Sequence, residues 1–180
     1  MTPGAEGIVV RPLGVSDAER YRTLRLESLR AFPHSHRTGY DEAAAQPMAW
    51  TEKRLSTPGE YWFGAFDERG ELVGAVGLRT QELVKVRHVA KVIALAVDRR
   101  HHRRGIGRAL MAHVIAFARS LGHLHQLQLT VSDGNASAER LYDALGFVQF
   151  GLERDAFLHE GKYWNKQHRQ LFLESPEHHE

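Results

Sequence analysis

Residues His101 to Leu110 read HHRRGIGRAL, with two glycines two apart set among arginines. The aliphatic run VIALAV, Val92 to Val97, stands close before it, and a helix-like pattern follows. Residues 99–108 hold five arginines and no acid. The start of a helix offers unpaired N–H groups and a partial positive charge. Glycine lets an anion approach the backbone closely, and arginine adds paired donors. This combination suits the holding of a phosphate or pyrophosphate. It is not a P-loop, because no G-x-x-x-x-G-K-[ST] occurs. Nor is it a dinucleotide fingerprint. Leu110 stands where a third small residue is needed, and Leu127-Gln128-Leu129-Thr130 lacks the ribose-binding acid. A solvated basic turn that only starts a helix is the plain alternative.

A second cluster follows one strand later. Asn135 opens N-x-x-A-x-x-L-Y-x-x-x-G-F, completed by Ala138, Leu141, Tyr142, Gly146 and Phe147. Tyr142 can move a proton, yet it shares a helix face with Ala138, Leu141 and Leu145, so packing alone would also explain it. The histidines read more plainly. His101-His102 and His178-His179 are adjacent pairs, a poor geometry for one metal. His34-x-His36 and His123-x-His125 could chelate but lack a third ligand, so no metal is expected.

The elements that must carry these residues follow from periodicity. Ile8 to Leu13 reads as a first strand. Ser16 and Glu19 have capping-box spacing and predict a helix with Ala18, Tyr21, Leu24, Leu29 and Phe32 inward, ended by Pro33. Residues 34–46 show no period, and Pro47 suits the first turn of a short helix near Met48 to Leu55. Tyr61 to Phe66 and Glu71 to Leu78 form a hairpin, and His88 to Val97 is the next strand. In that strand Val89, Ile93, Leu95 and Val97 are expected on one face, with Ala90, Val92, Ala94 and Ala96 on the other, as in a central strand. A helix from about Ile106 to Leu121 leads to a strand with Leu127, Leu129 and Val131, a crossover that makes a parallel pair. Asn135 then caps a helix through Leu145, and residues 147–158 and 163–173 form a last hairpin. The fold class is α/β (α+β): a mixed, mostly antiparallel central sheet with one parallel strand pair and helices on both faces. One domain over residues 1–174 and a disordered tail at 175–180 are expected.

Composition narrows the partners. With 24 Lys and Arg against 22 Asp and Glu, the charge is nearly balanced, which argues against a nucleic-acid binder with a broad basic face. No run of apolar residues is long enough for a membrane span, and MTPGAEGIVV has no basic or apolar leader region. The chain has no cysteine, so thiolate catalysis and disulfides are excluded and a cytoplasmic location fits.

Together the two clusters resemble the GNAT acyltransferase superfamily, whose members carry V-x-P-x-x-[RQ]-G-x-G-x-[GA] after the fourth strand and the Asn…Tyr…Gly-Phe segment one strand later. Val97, Gly105 and Gly107 match, whereas Arg99, His102 and Arg103 depart from that pattern. The resemblance spans about residues 8–173. It implies acetyl-CoA or a related acyl-CoA as co-substrate, with no metal. The pyrophosphate would lie on the backbone of Arg103, Arg104, Gly105, Ile106, Gly107 and Arg108. The pantetheine arm would run beside Leu95, Ala96 and Val97, and Asn135, Ala138 and Tyr142 would complete the site. Tyr142 would be the general acid for the CoA sulfur, with a fourth-strand N–H near Leu95 as oxyanion donor.

Lys91 stands where some relatives place a glutamate base, so Glu82 and His88 are substitutes, with a water chain as a third route. The acceptor is expected to be a primary amine, on a small molecule or a protein N-terminus. Arg25, Glu27, Tyr40, Trp50 and Glu82 come from segments that line the acceptor site in the superfamily, and Glu27 and Tyr40 are the candidates to touch it. The chain is expected to act as a monomer or homodimer, free of nucleic acid and membrane. An acyl-CoA sensor without turnover is the rival reading.

Overall fold

The computed structural model describes residues 6–173, so the expected tail at 175–180 lies outside the described residues. The first strand, β1 (Val9–Pro12), is an edge strand, where the missing N–H of Pro12 costs no ladder bond. A short 3₁₀ turn (Val15–Asp17) leads into α1 (Ala18–Ala31). The predicted Ser16–Glu19 capping box is not what anchors this start. Buried Asp17 does that: it accepts from the Gly14 N–H at 3.1 Å and from both ends of the Arg11 guanidinium at 2.8 and 2.9 Å. The aperiodic stretch after α1 contains a 3₁₀ turn (Pro33–Ser35) and a short helix α2 (Tyr40–Ala44). In α3 (Met48–Ser56), Pro47 is the N-cap rather than a first-turn residue.

Strands β2 (Glu60–Phe66), β3 (Leu72–Arg79), β4 (Val89–Val97), β5 (Gln126–Ser132), β6 (Val148–His159) and β7 (Lys162–Phe172) complete a seven-stranded sheet in the order β1-β2-β3-β4-β5-β7-β6. Every neighbouring pair is antiparallel except β4 and β5. On one face α1 and α3 pack Tyr21, Leu24 and Leu55 against Trp62, Phe66 and Ala75. On the other, α4 (Ile106–Ser120) and α5 (Ala136–Ala144) pack Leu110, Val114 and Tyr142 against Phe63, Val76, Val92 and Leu129. Each fully buried Leu, Val or Phe of this kind contributes ~1.5–3 kcal/mol. Gly122 and Gly146 close α4 and α5 at φ +70° and +88°, a backbone region that glycine enters freely.

The parallel pair is short. Only Val89, Ala90 and Lys91 pair with β5, opposite Gln126, Leu127 and Gln128. Beyond Lys91 the two strands separate, and six residues of β4 have no partner on that side. On the β3 side, Ala75 faces Ala96 and Gly77 faces Ile93, so β4 carries one extra residue there, a β-bulge. Ala94 sits in it at φ +51°, a strained setting for a residue with a Cβ.

The bulge overturns the simple alternation expected for this strand. Before it, Ala90 and Val92 belong to the α4 face; after it, Leu95 and Val97 pack on that face, while Ile93 and Ala94 turn to α1 and α3. One inserted residue reverses which parity points to which side.

Candidate active site

The separation of β4 from β5 opens a cleft of about 660 Å³ that reaches both faces of the sheet. Val92–Val97 form one wall and Leu129–Ser132 the other. At its mouth is the glycine-arginine turn. Arg103 at φ +62° and Gly105 at φ +75° curl the chain into α4. None of the N–H groups from Arg103 to Arg108 donates to a backbone acceptor among the described residues. Six such donors at a helix start could hold an anion, and Arg103 and Arg108 line the same opening. Gly107 packs closely: a Cβ there would stand 3.3 Å from Leu141 Cδ2 and 3.8 Å from Val97 Cγ2.

The three departures around this turn have structural partners or positions of their own. Arg99 begins a 3₁₀ turn (Arg99–His101) whose cap is buried Asp98, which accepts from the Arg100 N–H at 2.8 Å and pairs with its guanidinium. The Arg100 hydrogen bonds hold the Asp98 carboxyl below its usual range. His102 donates Nε2–H to the Val97 carbonyl at 3.0 Å and stacks on Phe32 with ring centres 5.4 Å apart. Arg103 supplies the positive-φ residue before Gly105.

On the opposite rim, Asn135 caps α5. Its side-chain oxygen accepts from the Ala138 N–H at 3.2 Å, and its Nδ2 reaches the Ser35 hydroxyl at 3.4 Å. His34 stacks on Trp164 of β7 at 4.9 Å. Phe32, stacked on His102, and the turn Pro33–Ser35 thus bridge the two lips of the cleft. Tyr142, on α5, is buried yet lines the cleft, and burial pushes its phenol up to about 12.

Beyond the β4 bulge, on the side of α1 and α3, the cleft is lined by Arg25, Ser28, His36, Arg37, Arg54 and Lys166. His36 accepts at Nδ1 from Arg25 at 3.2 Å, which leaves the hydrogen on Nε2 for the Ser28 hydroxyl at 3.0 Å. Burial first, then the charges of Arg25 and Lys166, depress this imidazole to about 4, so it is neutral near pH 7. Among the described residues, no Asp or Glu lines the cleft.

Leu95, Ala96, Val97, Arg103, Gly105, Ile106, Gly107, Arg108, Asn135, Ala138 and Tyr142 meet here, although they come from distant parts of the chain. The Arg104 side chain lies instead in a neighbouring polar hollow with Asp98 and Arg100. Four expected residues stand elsewhere. Glu82 is exposed in the β3–β4 connection. His88 is exposed at the closed end of the strand pair, its carbonyl held by His125 and Gln126. Glu27 is on the exposed face of α1, and Tyr40 lies under the Arg30 guanidinium at 4.3 Å. Ser28, His36, Arg54 and Lys166 were not assigned to the site from sequence. The His34-x-His36 pair was the one local signal; Lys166, more than a hundred residues from Arg54, had none.

The description "Acetyltransferase (GNAT) family" matches residues 21–147. The L-amino acid N-acetyltransferase AaaT of Escherichia coli (strain K12) is 30% identical over 114 residues, 63% of this chain and 69% of that protein. The mycothiol acetyltransferase of Salinispora tropica is 32% identical over 108 residues, 56% of this chain, and the match spans only 35% of that longer protein. Among solved structures, the GNAT superfamily phosphinothricin acetyltransferase from Sinorhizobium meliloti, in complex with AcCoA, superposes with a TM-score of 0.79 at 21% identity, covering 93% of this chain and 89% of the other. With the separated β4–β5 pair, the α4 cradle and the Asn135-to-Phe147 segment in one molecule, the chain belongs to the GNAT family of N-acetyltransferases.

Proposed function

We propose that the protein transfers the acetyl group of acetyl-CoA to a primary amine by direct attack within a ternary complex. The observation that carries this reading is the run of unpartnered N–H groups from Arg103 to Arg108 at the mouth of a cleft walled by the unpaired edge of β4. Such a run fits a pyrophosphate, and a free strand edge fits an extended amide-bearing arm. His102 already uses the Val97 carbonyl, so that arm would pair chiefly with Leu95 and Ala96.

Acetyl-CoA would supply an activated thioester; the chain would hold it, orient it and handle protons. A β4 N–H in the bulge near Leu95 would donate to the oxygen that gains charge. Tyr142 would donate a hydrogen bond to sulfur as the carbon–sulfur bond breaks, and the thiolate would take its proton through solvent, to which the attacking nitrogen loses its own. A phenol held at about 12 is a weaker acid than a free thiol, near 8.5, so Tyr142 would act mainly by a strong hydrogen bond to the departing sulfur.

The amine must arrive neutral. With no carboxylate among the described residues that line the cleft, the cations Arg25, Arg54 and Lys166 would disfavour an ammonium, so the acceptor would shed its proton to bulk water on entry. Glu82 and His88, outside the cleft, could take part only through intervening water. The same lack of a carboxylate favours a second reading, an acyl-CoA sensor with little turnover. A thiol-release assay with acetyl-CoA and a broad amine panel separates them: amine-dependent release at enzymatic rates supports transfer, and tight acetyl-CoA binding with no release from any amine supports the sensor.

A further inference from the structure

Five cationic or imidazole side chains converge on the α1/α3 side of the cleft without an acid among the lining residues: Arg25, His36, Arg37, Arg54 and Lys166. Two nearby carboxylates are otherwise engaged. Glu60 on β2 is bound by Arg79 at 2.6 Å and by Trp62 Nε1 at 3.3 Å. Glu153, paired across the sheet with Lys166, accepts from His168 at 3.2 Å. Arg54 is wedged against Trp62, its guanidinium carbon 4.7 Å from the ring centre, and its Nε is buried with no hydrogen-bond partner. Arg25 reaches only a neutral imidazole, and burial lowers its guanidinium and the Lys166 ammonium below their ordinary values. Beside Arg54 and Arg25, the Tyr21 hydroxyl is buried, and the charge of both guanidiniums opposes the rise that burial gives its phenol.

Arg25, Arg54 and Lys166, drawn from three elements and bonded to no carboxylate among the described residues, repel one another and have lost hydration. Aromatic support and the Ser28–His36–Arg25 chain keep two of them in place regardless. That is the arrangement a ligand anion would complete, and guanidinium groups match an oxyanion with paired N–H donors.

We infer that the acceptor is a small zwitterionic amine, an α-amino acid or a close analogue, whose oxyanion is held by Arg54, Arg25 and Lys166 while its nitrogen faces the β4 bulge. This rests on the proposed transfer reading. It excludes polyamines, whose added positive charge would enter a cationic pocket. It also disfavours a protein N-terminus, which has no carboxylate next to its amine.

The test is calorimetric titration of CoA-loaded protein with free L-amino acids, the matching carboxamides, 2-aminoethylphosphonate and spermidine, alongside thiol release with each. Free acids or the phosphonate should bind at least about tenfold tighter than the carboxamides, because a charged hydrogen bond is lost with the anion. Whichever of the two oxyanions binds better names the kind of anion. Arg54→Gln and, separately, Lys166→Met should weaken oxyanion binding by about 10- to 100-fold and leave acetyl-CoA affinity within about twofold. Two variants on different elements guard against misfolding of one. Equal binding of acids and carboxamides, preference for spermidine, no binding of any acid, or folded variants that bind acids normally would each overturn the inference. Acid-selective binding without thiol release would uphold it and remove the transfer reading. Thiol release confined to carboxamides or spermidine would do the reverse.

Discussion

Arg25 donates to Nδ1 of His36 at 3.2 Å, and burial first, then the charge of this arginine from the neighbouring helix, keeps the half-buried imidazole neutral. This contact has a consequence for acid stability. His36 sits at about 4 when folded and near 6.5 when unfolded, so the unfolded chain binds the extra proton as pH falls between those values. The stability is therefore complete above about pH 6.5 and is lost on the way down to about pH 4, by about 3 kcal/mol in total. Burial shifts His113 in the same direction. Urea unfolding at pH 7.5 and pH 4.5 should show a markedly smaller loss in His36→Gln than in the parent chain; an unchanged loss would mean that His36 is not held neutral.

Gly107→Glu should abolish acetyl-CoA binding while the far-UV spectrum and melting temperature stay near the parent's. Its carboxylate would stand beside the unpartnered N–H groups and repel the pyrophosphate. Gly107→Ala asks less, since its methyl meets only Leu141 and Val97 side chains, and should keep measurable affinity. Titration of both variants checks the order.

Tyr142→Phe should lower kcat by ~10²-fold or more, with acetyl-CoA affinity changed far less, because the hydroxyl matters only when sulfur gains charge. Removing it also spares a buried phenol its desolvation, so thermal stability should not fall much. Equal losses in kcat and affinity would reassign Tyr142 to packing.

Lys91→Ala should keep turnover within about tenfold, since Lys91 is exposed and does not line the cleft, whereas loss of a general base costs ~10² or more. The acid limb of the pH–rate profile should follow the acceptor amine and stay in place in His88→Gln. A moved limb would bring His88 into the proton path.

Much of the frame was legible because it is local. The HHRRGIGRAL turn, the helix start at Ile106 and the Asn135 cap depend on neighbours within a few residues, and glycine, proline and side-chain caps act over that distance. The order of strands and helices followed from periodicity for the same reason.

The start of α1 and the faces of β4 depart from the local sequence pattern where contacts across the sheet take over. Asp17 anchors α1 because Arg11, on the neighbouring edge strand, folds back onto it. Leu95 and Val97 change sides because one β4 residue is left over when its register with β3 is set, and alternation cannot reveal a bulge whose cause lies in the partner strand.

Sequence alone determined that a glycine-arginine turn would start the helix at Ile106, and that a helix capped by Asn135 and carrying Tyr142 would follow one strand later. Only the tertiary structure decided what faces the cleft from the other side. Arg25, His36, Arg54 and Lys166 come from α1, the loop after it, α3 and β7, and no spacing links them. They converge because β4 and β5 part after three paired residues, which opens the middle of the sheet to both helical layers at once.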